Sequence, residues 1–146
     1  MDFKGYSFQH QGEKRDHLTF GNDFLPELER VVAAHSPNGS KYLEWGAGLS
    51  TLLLTDLASR CFGTVVSVEH NTEYADSVLS HVRHPATLQL FAVDLNGPRL
   101  SQSDTGLNYG TLPLSLGIDF DFILIDGRRR LECAYSAFVL ASPPRL

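Results

Sequence analysis

Short, nearly uninterrupted apolar runs recur along the chain, and several of them are rich in β-branched residues. Runs of this length and composition are typical of strands that are buried on both faces of a sheet. We therefore predict four strands, at "YLEW" (42–45), "TVVSVEH" (64–70), "ATLQLFAVDL" (86–95) and "FDFILIDG" (120–127).

Between these runs, apolar residues recur every three or four positions, which predicts helices with one apolar face. The clearest example is the spacing of Leu49, Leu52, Leu53 and Leu57. Three further helices are predicted, at "NDFLPELERVVAAH" (22–35), "NTEYADSVLSHV" (71–82) and "RRLECAYSAFVL" (129–140).

The ends and faces of these helices can also be predicted. Short polar side chains accept hydrogen bonds from the free N–H groups of a first turn, so Asn22 or Asp23 is expected to cap the first helix. By the same reasoning, Asn71 or Thr72 caps the helix that follows the second strand. In the last helix one face is shared by Leu131, Ala134, Tyr135 and Phe138.

Apolar strands that alternate with helices indicate a parallel sheet with helices on both faces, so we predict a three-layer α/β fold. Residues 1–20 show no clear period and are predicted to form a flexible arm. Residues 21–146 are predicted to form a single domain, because a chain of 146 residues with 42% hydrophobic content suits one globular core.

The chain is acidic, with a formal net charge of -5. Surfaces that bind nucleic acid are usually basic, so we expect no nucleic-acid partner. No apolar stretch approaches the roughly 20 residues of a membrane span, and the polar N-terminus lacks the apolar core of a signal peptide. We therefore expect no membrane partner and a cytoplasmic location, in which Cys61 and Cys133 remain free thiols.

The stretch "KYLEWGAGLST" places two glycines between a strand and a helix. Gly46 and Gly48 permit unusual backbone angles and the close approach of a ligand. The N-terminus of the following helix offers free N–H groups and the positive end of the helix dipole, and Ser50 and Thr51 add hydroxyl groups. These features suit a carboxylate or a phosphate, although a tight turn that binds nothing has the same residues.

Two acidic residues narrow the choice of ligand. Glu69 closes the second strand 23 positions after Gly46, where a carboxylate can accept both hydroxyls of a ribose; a solvated acid at a strand end is the alternative. Glu44 precedes Gly46 by two positions and would repel a pyrophosphate. Thr51 stands where a dinucleotide site has its third glycine. Together these residues favour a ligand of cationic character over a dinucleotide.

The string "LEWGAGLST" resembles motif I of class I S-adenosylmethionine (SAM) methyltransferases, E/D-x-G-x-G-x-G, with Ser50 in place of the last glycine. "VVSVEH", "FAVDL" and "FDFILIDGRRR" resemble the next three strand motifs of that family, and "NYGTLP" is similar to an aromatic-Gly-x-x-Pro element of some members. The resemblance covers about residues 40–140. It implies SAM as cofactor and a Rossmann-like sheet of strand order 3-2-1-4, counted from "YLEW".

The resemblance also implies roles for individual residues. Glu44 would balance the positive end of the cofactor, and Glu69 would bind its ribose hydroxyls. His70 and Asp94 would contact the adenine, although a plain strand-end histidine and a loop cap are the alternatives. The glycine turn would hold the carboxylate region of SAM, through Gly46, Ala47, Gly48, Ser50 and Thr51.

Methyl transfer mainly needs an aligned nucleophile and the exclusion of water, with a general base where the nucleophile carries a proton. Asp126, at the end of the fourth strand, is the candidate for that base or for holding the amine of the substrate or cofactor, and no metal site is predicted. Arg128, Arg130 and Tyr109 are candidate substrate-binding residues. A solvated helix start is the alternative for the arginines, and an exposed loop aromatic is the alternative for Tyr109.

These features predict a SAM-dependent methyltransferase with an unidentified small-molecule acceptor. An NAD(P)-binding Rossmann oxidoreductase and a non-catalytic SAM-binding or assembly module are the alternatives. Members of the family continue with further strands after the fourth, so the resemblance implies a domain that is truncated at this point. The fourth strand would then form an edge of the sheet, and a homo-oligomer could form through it.

Overall fold

The structure is a computed structural model that describes residues 6–15, 24–95 and 108–141. In these ranges the strands are β1 (Phe8–His10), β2 (Glu13–Arg15), β3 (Lys41–Trp45), β4 (Thr64–Glu69), β5 (Leu88–Ala92) and β6 (Phe122–Ile125). The α-helices are α1 (Phe24–His35), α2 (Leu49–Arg60), α3 (Thr72–Leu79) and α4 (Arg130–Ala141). Short 3-10 helices span Pro85–Thr87 and Leu112–Ser115.

The central sheet is parallel, and its strands lie in the order β5-β4-β3-β6. Leu43 of β3 lies between Val66 of β4 and Ile123 of β6. The predicted α/β class and parallel sheet are therefore confirmed. Two strands that were not predicted, β1 and β2, precede the sheet, so the order predicted as 3-2-1-4 from the strand at 41–45 becomes 5-4-3-6 when all described strands of the chain are counted.

Successive side chains of a strand point to opposite faces, so the sheet has a core on each side. On one face Tyr42 and Val65 pack with Val32 of α1, Leu53 of α2 and Val78 of α3. These three helices therefore form one outer layer.

The opposite face is covered by α4 and by the segment that precedes β6. Trp45 and Val68 pack there with Tyr109 and with Cys133 of α4. Cys133 and Cys61 are both buried free thiols. Helices thus lie on both faces of the sheet, in three layers.

Residues 6–15 differ from the predicted flexible arm. β1 and β2 pair antiparallel, with His10 opposite Glu13. Gln11 and Gly12 form the connection, with φ values of 51° and 78°. Positive φ at both central positions is typical of the type I′ turn, whose twist suits a two-residue hairpin. The other residues of the predicted arm lie outside the described ranges.

The hairpin packs on the helical layer through alternate side chains. Tyr6, Phe8 and His10 are buried, while Gln9 is exposed. Phe8 meets the ring of Tyr74 edge-on, with 5.4 Å between the ring centroids. The prediction of an arm was wrong here because an alternation over so few residues does not stand out in the sequence.

The four α-helices lie where they were predicted, but their first and last residues differ from the predicted ones. The candidate caps Asn22 and Asp23 lie outside the described residues. Asn71 caps α3, since its side chain accepts a hydrogen bond from Tyr74 N at 3.0 Å, and this prediction is confirmed. In the described ranges, no helix has both the length and the apolar content of a membrane span.

The predicted apolar face of α4 exists, but it points away from the core. Leu131, Tyr135 and Phe138 are each about 70% exposed. The side chains that α4 buries against the sheet are small, namely those of Cys133 and Ser136. Small residues let the helix lie close to the strands, while Leu131, Tyr135 and Phe138 stay outside.

Candidate functional site

The parallel strands bring the predicted acids to one edge of the sheet. Glu44 is the fourth residue of β3, Glu69 ends β4, Asp126 follows β6 directly, and Asp94 comes two residues after β5. The carboxyl ends of parallel strands meet at the same edge, where ligands of α/β proteins usually bind. In the order of the sheet the acids are Asp94, Glu69, Glu44 and Asp126.

The glycine turn between β3 and α2 packs directly on the turn between β6 and α4. Gly46 has a φ of 97°, and a Cβ added there would lie 2.7 Å from both Cα and N of Gly127. A Cβ added to Gly127 would in turn lie 2.9 Å from Gly46 N. The approach of the two turns explains these glycines without a ligand. Gly127 was not among the predicted site residues, although its place after the strand acid in "IDG" was a signal.

The backbone N–H groups of the glycine turn are all used inside the protein. Gly46 N donates to the carbonyl of Val68 at 2.9 Å, and Ala47 N donates to Oε2 of Glu69 at 3.1 Å. Gly48 N donates to the hydroxyl of Thr51 at 2.9 Å. The predicted contact of these three residues with a ligand carboxylate is therefore not available in this arrangement.

Glu44 lies beneath this turn and is fully buried. Ser50 Oγ donates to its Oε2 at 2.8 Å, and Thr51 Oγ1 donates to its Oε1. Burial raises the pKa of Glu44 to about 7, although the hydrogen bonds from Thr51 and Ser50 act to lower it. Ser50 and Thr51, which were predicted to take the carboxylate region of a cofactor, instead donate to Glu44, and these contacts fix the first turn of α2. Glu44 can therefore influence a ligand through its charge rather than by touching it.

Glu69 joins the glycine turn to the end of β4. It is 3% exposed, and its Oε1 accepts hydrogen bonds from the backbone N of His70 at 2.8 Å and of Asn71 at 2.9 Å. Its Oε2 accepts a hydrogen bond from Ala47 N. Three backbone donors thus hold this carboxylate in place. The remaining lone pair of Oε2 is the acceptor that a ribose hydroxyl could use.

Of the two predicted adenine contacts, His70 directly follows Glu69, and Asp94 follows the neighbouring strand β5. The His70 ring is about one-third exposed, with Nδ1 at 2.7 Å from Glu69 Oε1. It meets the Tyr109 ring edge-on, with 6.2 Å between centroids. Asp94 is exposed beyond β5 and is separated from the glycine turn by β4. His70 is therefore the better placed of the two.

Asp126 follows β6, whereas the other three candidate acids belong to β3, β4 and the segment after β5. Its side chain is 16% exposed, and Arg130 Nη2 lies 3.5 Å from its Oδ1. Burial raises the pKa of Asp126, while the charge of Arg130 lowers it. Arg128 is exposed next to this pair. Asp126 and Arg130 thus lie together at one end of the edge.

Arg129 was missed by the sequence reasoning, which selected the arginines on either side of it. Its backbone is left-handed, with a φ of 48°, and its guanidinium donates to the carbonyl of Leu95 after β5. It also lies 3.8 Å from Glu132. Arg129 therefore joins segments at opposite edges of the sheet. In a run of three arginines, the sequence carries no signal that singles it out.

Tyr109 is a core residue rather than part of an open pocket or an exposed loop. Its side chain is fully buried, and its carbonyl accepts a hydrogen bond from Trp45 Nε1 at 2.9 Å. Within the described ranges no group completes a hydrogen bond with its hydroxyl. Trp45 is buried as well. Direct contact of Tyr109 with a substrate would need a rearrangement of this core.

Two further features bear on the chemistry of the described residues. In these ranges, no three histidine, cysteine, aspartate or glutamate side chains come together as metal ligands. A cavity of about 210 Å³ lies between the hairpin and the helices, and it is lined in part by Tyr6, Leu52, Asp56 and Arg83. It involves none of the predicted site residues.

Comparisons of the chain with family models, with curated proteins and with solved structures found no match. The case for a function therefore rests on the residues at the carboxyl edge of the sheet.

Proposed function

We propose that the chain is a SAM-dependent methyltransferase that acts on a small-molecule acceptor. The observation that supports this most is the set of carboxylates around the glycine turn. Glu44 lies beneath the turn, Glu69 accepts a hydrogen bond from it, and Asp126 is near enough to influence the pKa of Glu44. A site of this charge favours a ligand with cationic groups, such as the ammonium and the sulfonium of SAM.

The same arrangement disfavours a nicotinamide dinucleotide. A pyrophosphate is normally bound by free backbone N–H groups at the start of the helix after the first strand. Here the N–H groups of Gly46, Ala47 and Gly48 donate to protein acceptors. A pyrophosphate would also meet the charge of Glu69. We therefore rank an oxidoreductase below a methyltransferase.

The residues suit SAM at its cationic and ribose parts. Glu69 Oε2 keeps acceptor capacity beside the turn, and His70 lies next to it with a partly exposed ring. The carboxylate of SAM would go to the N-terminal end of α2 rather than to the engaged turn, because the helix dipole favours an anion there. When bound, SAM would supply an activated methyl group.

The acceptor would lie at the Asp126 end of the edge. Burial raises the pKa of this carboxylate, which makes it a stronger proton acceptor than an exposed aspartate. Arg130, at 3.5 Å, would hold the carboxylate in position. Arg128, exposed beside them, would favour an acceptor with an acidic group.

Calorimetric titration with S-adenosylhomocysteine tests the proposal. We expect saturable heat at or below millimolar ligand, and no enhancement of NADH fluorescence at the same protein concentration. A folded protein that gives no heat with S-adenosylhomocysteine would contradict SAM binding, and a saturable NADH signal would favour the oxidoreductase.

Turnover is tested separately with SAM that carries a labelled methyl group, against a panel of acidic and neutral acceptors. Label transfer that Asp126→Asn reduces more than ten-fold, with unchanged affinity for S-adenosylhomocysteine, would support the role of Asp126. Binding without transfer to any acceptor would favour a non-catalytic SAM-binding module.

A further inference from the structure

The side chain of Tyr74 reaches from α3 to the glycine turn. A Cβ added to Gly48 would lie 3.5 Å from the Tyr74 hydroxyl oxygen. Within the described residues this hydroxyl makes no hydrogen bond. Gly48 is the N-cap residue of α2, so the hydroxyl lies at the end of that helix which favours an anion. It is therefore an available donor beside the place where a ligand would meet the turn.

The N-terminal hairpin holds the ring of Tyr74 in this position. The ring of Phe8 meets it edge-on with 5.4 Å between the centroids, and the ring of His10 does so at 5.0 Å. The backbone of Tyr74 is fixed as well, because its N–H donates to the side chain of Asn71 at the start of α3. A side chain that is already held in place loses little freedom when its hydroxyl binds a ligand.

The same hairpin brings a guanidinium towards this hydroxyl. Arg15 of β2 lies directly opposite Phe8 of β1. Residues that are opposite in an antiparallel pair have their side chains on the same face, with Cβ atoms about 5 Å apart. Since Phe8 packs on the ring of Tyr74, the side chain of Arg15 begins next to that ring. Burial raises the pKa of Tyr74, and the charge of Arg15 acts to lower it, as expected of a cation close to the hydroxyl.

Arg15 keeps donors that a ligand could use. Its Nη2 lies 3.0 Å from Oε2 of Glu13, and the two side chains are 42% and 71% exposed. An ion pair this exposed contributes little to stability, so a ligand carboxylate can compete with Glu13. The Nε of Arg15 is buried and has no hydrogen-bond partner among the described residues. A guanidinium carries five N–H donors in a fork that matches a carboxylate, so one partner does not saturate it.

We propose that Arg15 and Tyr74 together bind the α-carboxylate of the cofactor, an inference that rests on the proposed binding of SAM. The amino-acid end of SAM is a zwitterion, and charges of both signs act on the hydroxyl of Tyr74. The negative ones are the carboxylates of Glu44, Glu69 and Asp126, and Arg15 is positive. The carboxylates suit the ammonium group, while the guanidinium and the phenol hydroxyl suit the carboxylate. The hairpin is then part of the binding site.

Calorimetry with two ligands tests this role. They are S-adenosylhomocysteine and its decarboxylated form, which differs only in the missing carboxylate. We expect the wild type to bind S-adenosylhomocysteine at least ~10-fold more tightly. Arg15→Gln should weaken that binding about 10-fold, and Tyr74→Phe about 3–10-fold, because a neutral donor contributes less than a charged one. Neither variant should change the affinity for the decarboxylated form by more than about two-fold, since the group that they contact is absent from it.

Lys14→Gln is the charge-matched control. Lys14 is exposed, and the alternation of side chains along β2 puts it on the face opposite to Arg15, so its loss should leave both affinities unchanged. Arg15→Lys keeps the charge without the fork of donors and should recover part of the loss. An unchanged affinity for the decarboxylated form also shows that each variant keeps a folded site.

Three results would overturn the role of Arg15 and Tyr74 while SAM binding stands. The first is an equal affinity of the wild type for the two compounds. The second is an equal effect of Arg15→Gln and Lys14→Gln on the binding of S-adenosylhomocysteine. The third is a loss in Arg15→Gln and Tyr74→Phe that is as large for the decarboxylated form as for S-adenosylhomocysteine. A wild type that binds neither compound contradicts the proposed function itself, and the role of the pair with it.

Discussion

At the scale of the residue, burial decides whether a side chain that was predicted to bind the cofactor can reach it. Glu44 was expected to face a cofactor, and its place at the end of a strand before the glycines was predicted correctly. The sequence could not show that Ser50 and Thr51 would close over it, because that depends on how the first turn of α2 meets β3. Glu44 therefore acts on the stability of the turn by direct contact, whereas it would act on a ligand only through its charge.

The raised pKa of Glu44 predicts a pH-dependent stability. Its ordinary value is 4.5, and burial raises it to about 7 in the folded protein. Between these values the folded state binds more protons than the unfolded state, so the free energy of unfolding falls as the pH rises. We expect Glu44→Gln to remove a decline on the order of 2 kcal/mol between pH 5 and 8.

Urea unfolding at several pH values measures this slope. Glu73→Gln is the control, because Glu73 is an exposed acid in the first turn of α3, and it should keep the wild-type slope. Parallel pH profiles for the wild type and Glu44→Gln would show that Glu44 does not titrate in this range.

The contact between Gly46 and Gly127 predicts a large cost for a small substitution. Alanine at position 46 would have to keep a φ of 97°, and its Cβ would lie 2.7 Å from Cα and N of Gly127. We expect a loss of about 2–4 kcal/mol in the free energy of unfolding. Gly39→Ala separates the two causes, because Gly39 has a φ of 83° and open space around its Cβ position, so its loss should be only about 1 kcal/mol. Equal losses would mean that the two turns do not touch.

At the scale of the element, the long periodic segments were predictable and the short or ambiguous ones were not. The strands of the sheet were found because each is a continuous apolar run, and α2 because its leucines repeat at helical spacing. The hairpin was missed since its strands have three residues each. In α4 the sequence located the apolar face, but large apolar side chains alone cannot show whether that face meets this sheet or another surface.

The hairpin turn offers a stabilising substitution. Gln11 has a φ of 51°, which is unfavourable for most side chains, and asparagine tolerates this conformation better. Asn-Gly is also the preferred pair for a type I′ turn. We expect Gln11→Asn to increase the free energy of unfolding by roughly 0.5 kcal/mol, as measured by urea unfolding. Gln9→Asn, in the strand β1, should be neutral or slightly destabilising, and a gain there of the same size would remove the turn as the cause.

At the scale of the whole molecule, topology made the place of the candidate site predictable and packing determined its details. Any parallel sheet brings Glu44, Glu69 and Asp126 to one edge, so their meeting followed from the strand pattern. The bond from Ala47 to Glu69 and the bridge from Arg129 to Leu95 did not, because each joins turns that lie far apart in sequence. These bonds between turns shape the surface that a ligand would meet.

The last prediction concerns the two acids that were expected to bind the nucleoside part of a cofactor. Glu69→Gln should weaken binding of S-adenosylhomocysteine by about 10–100-fold, because a charge-assisted bond to a ribose hydroxyl is lost beside the glycine turn. Asp94→Asn should weaken this binding less than about five-fold, since Asp94 is exposed beyond β5, where water competes for a hydrogen bond from the adenine amine. Calorimetry measures both. Because Glu69 also holds three backbone donors, each variant is first shown to be folded at the titration temperature, and Glu73→Gln provides a charge-matched control. Equal losses for the Glu69 and Asp94 variants would contradict the assignment of Glu69 to the ribose.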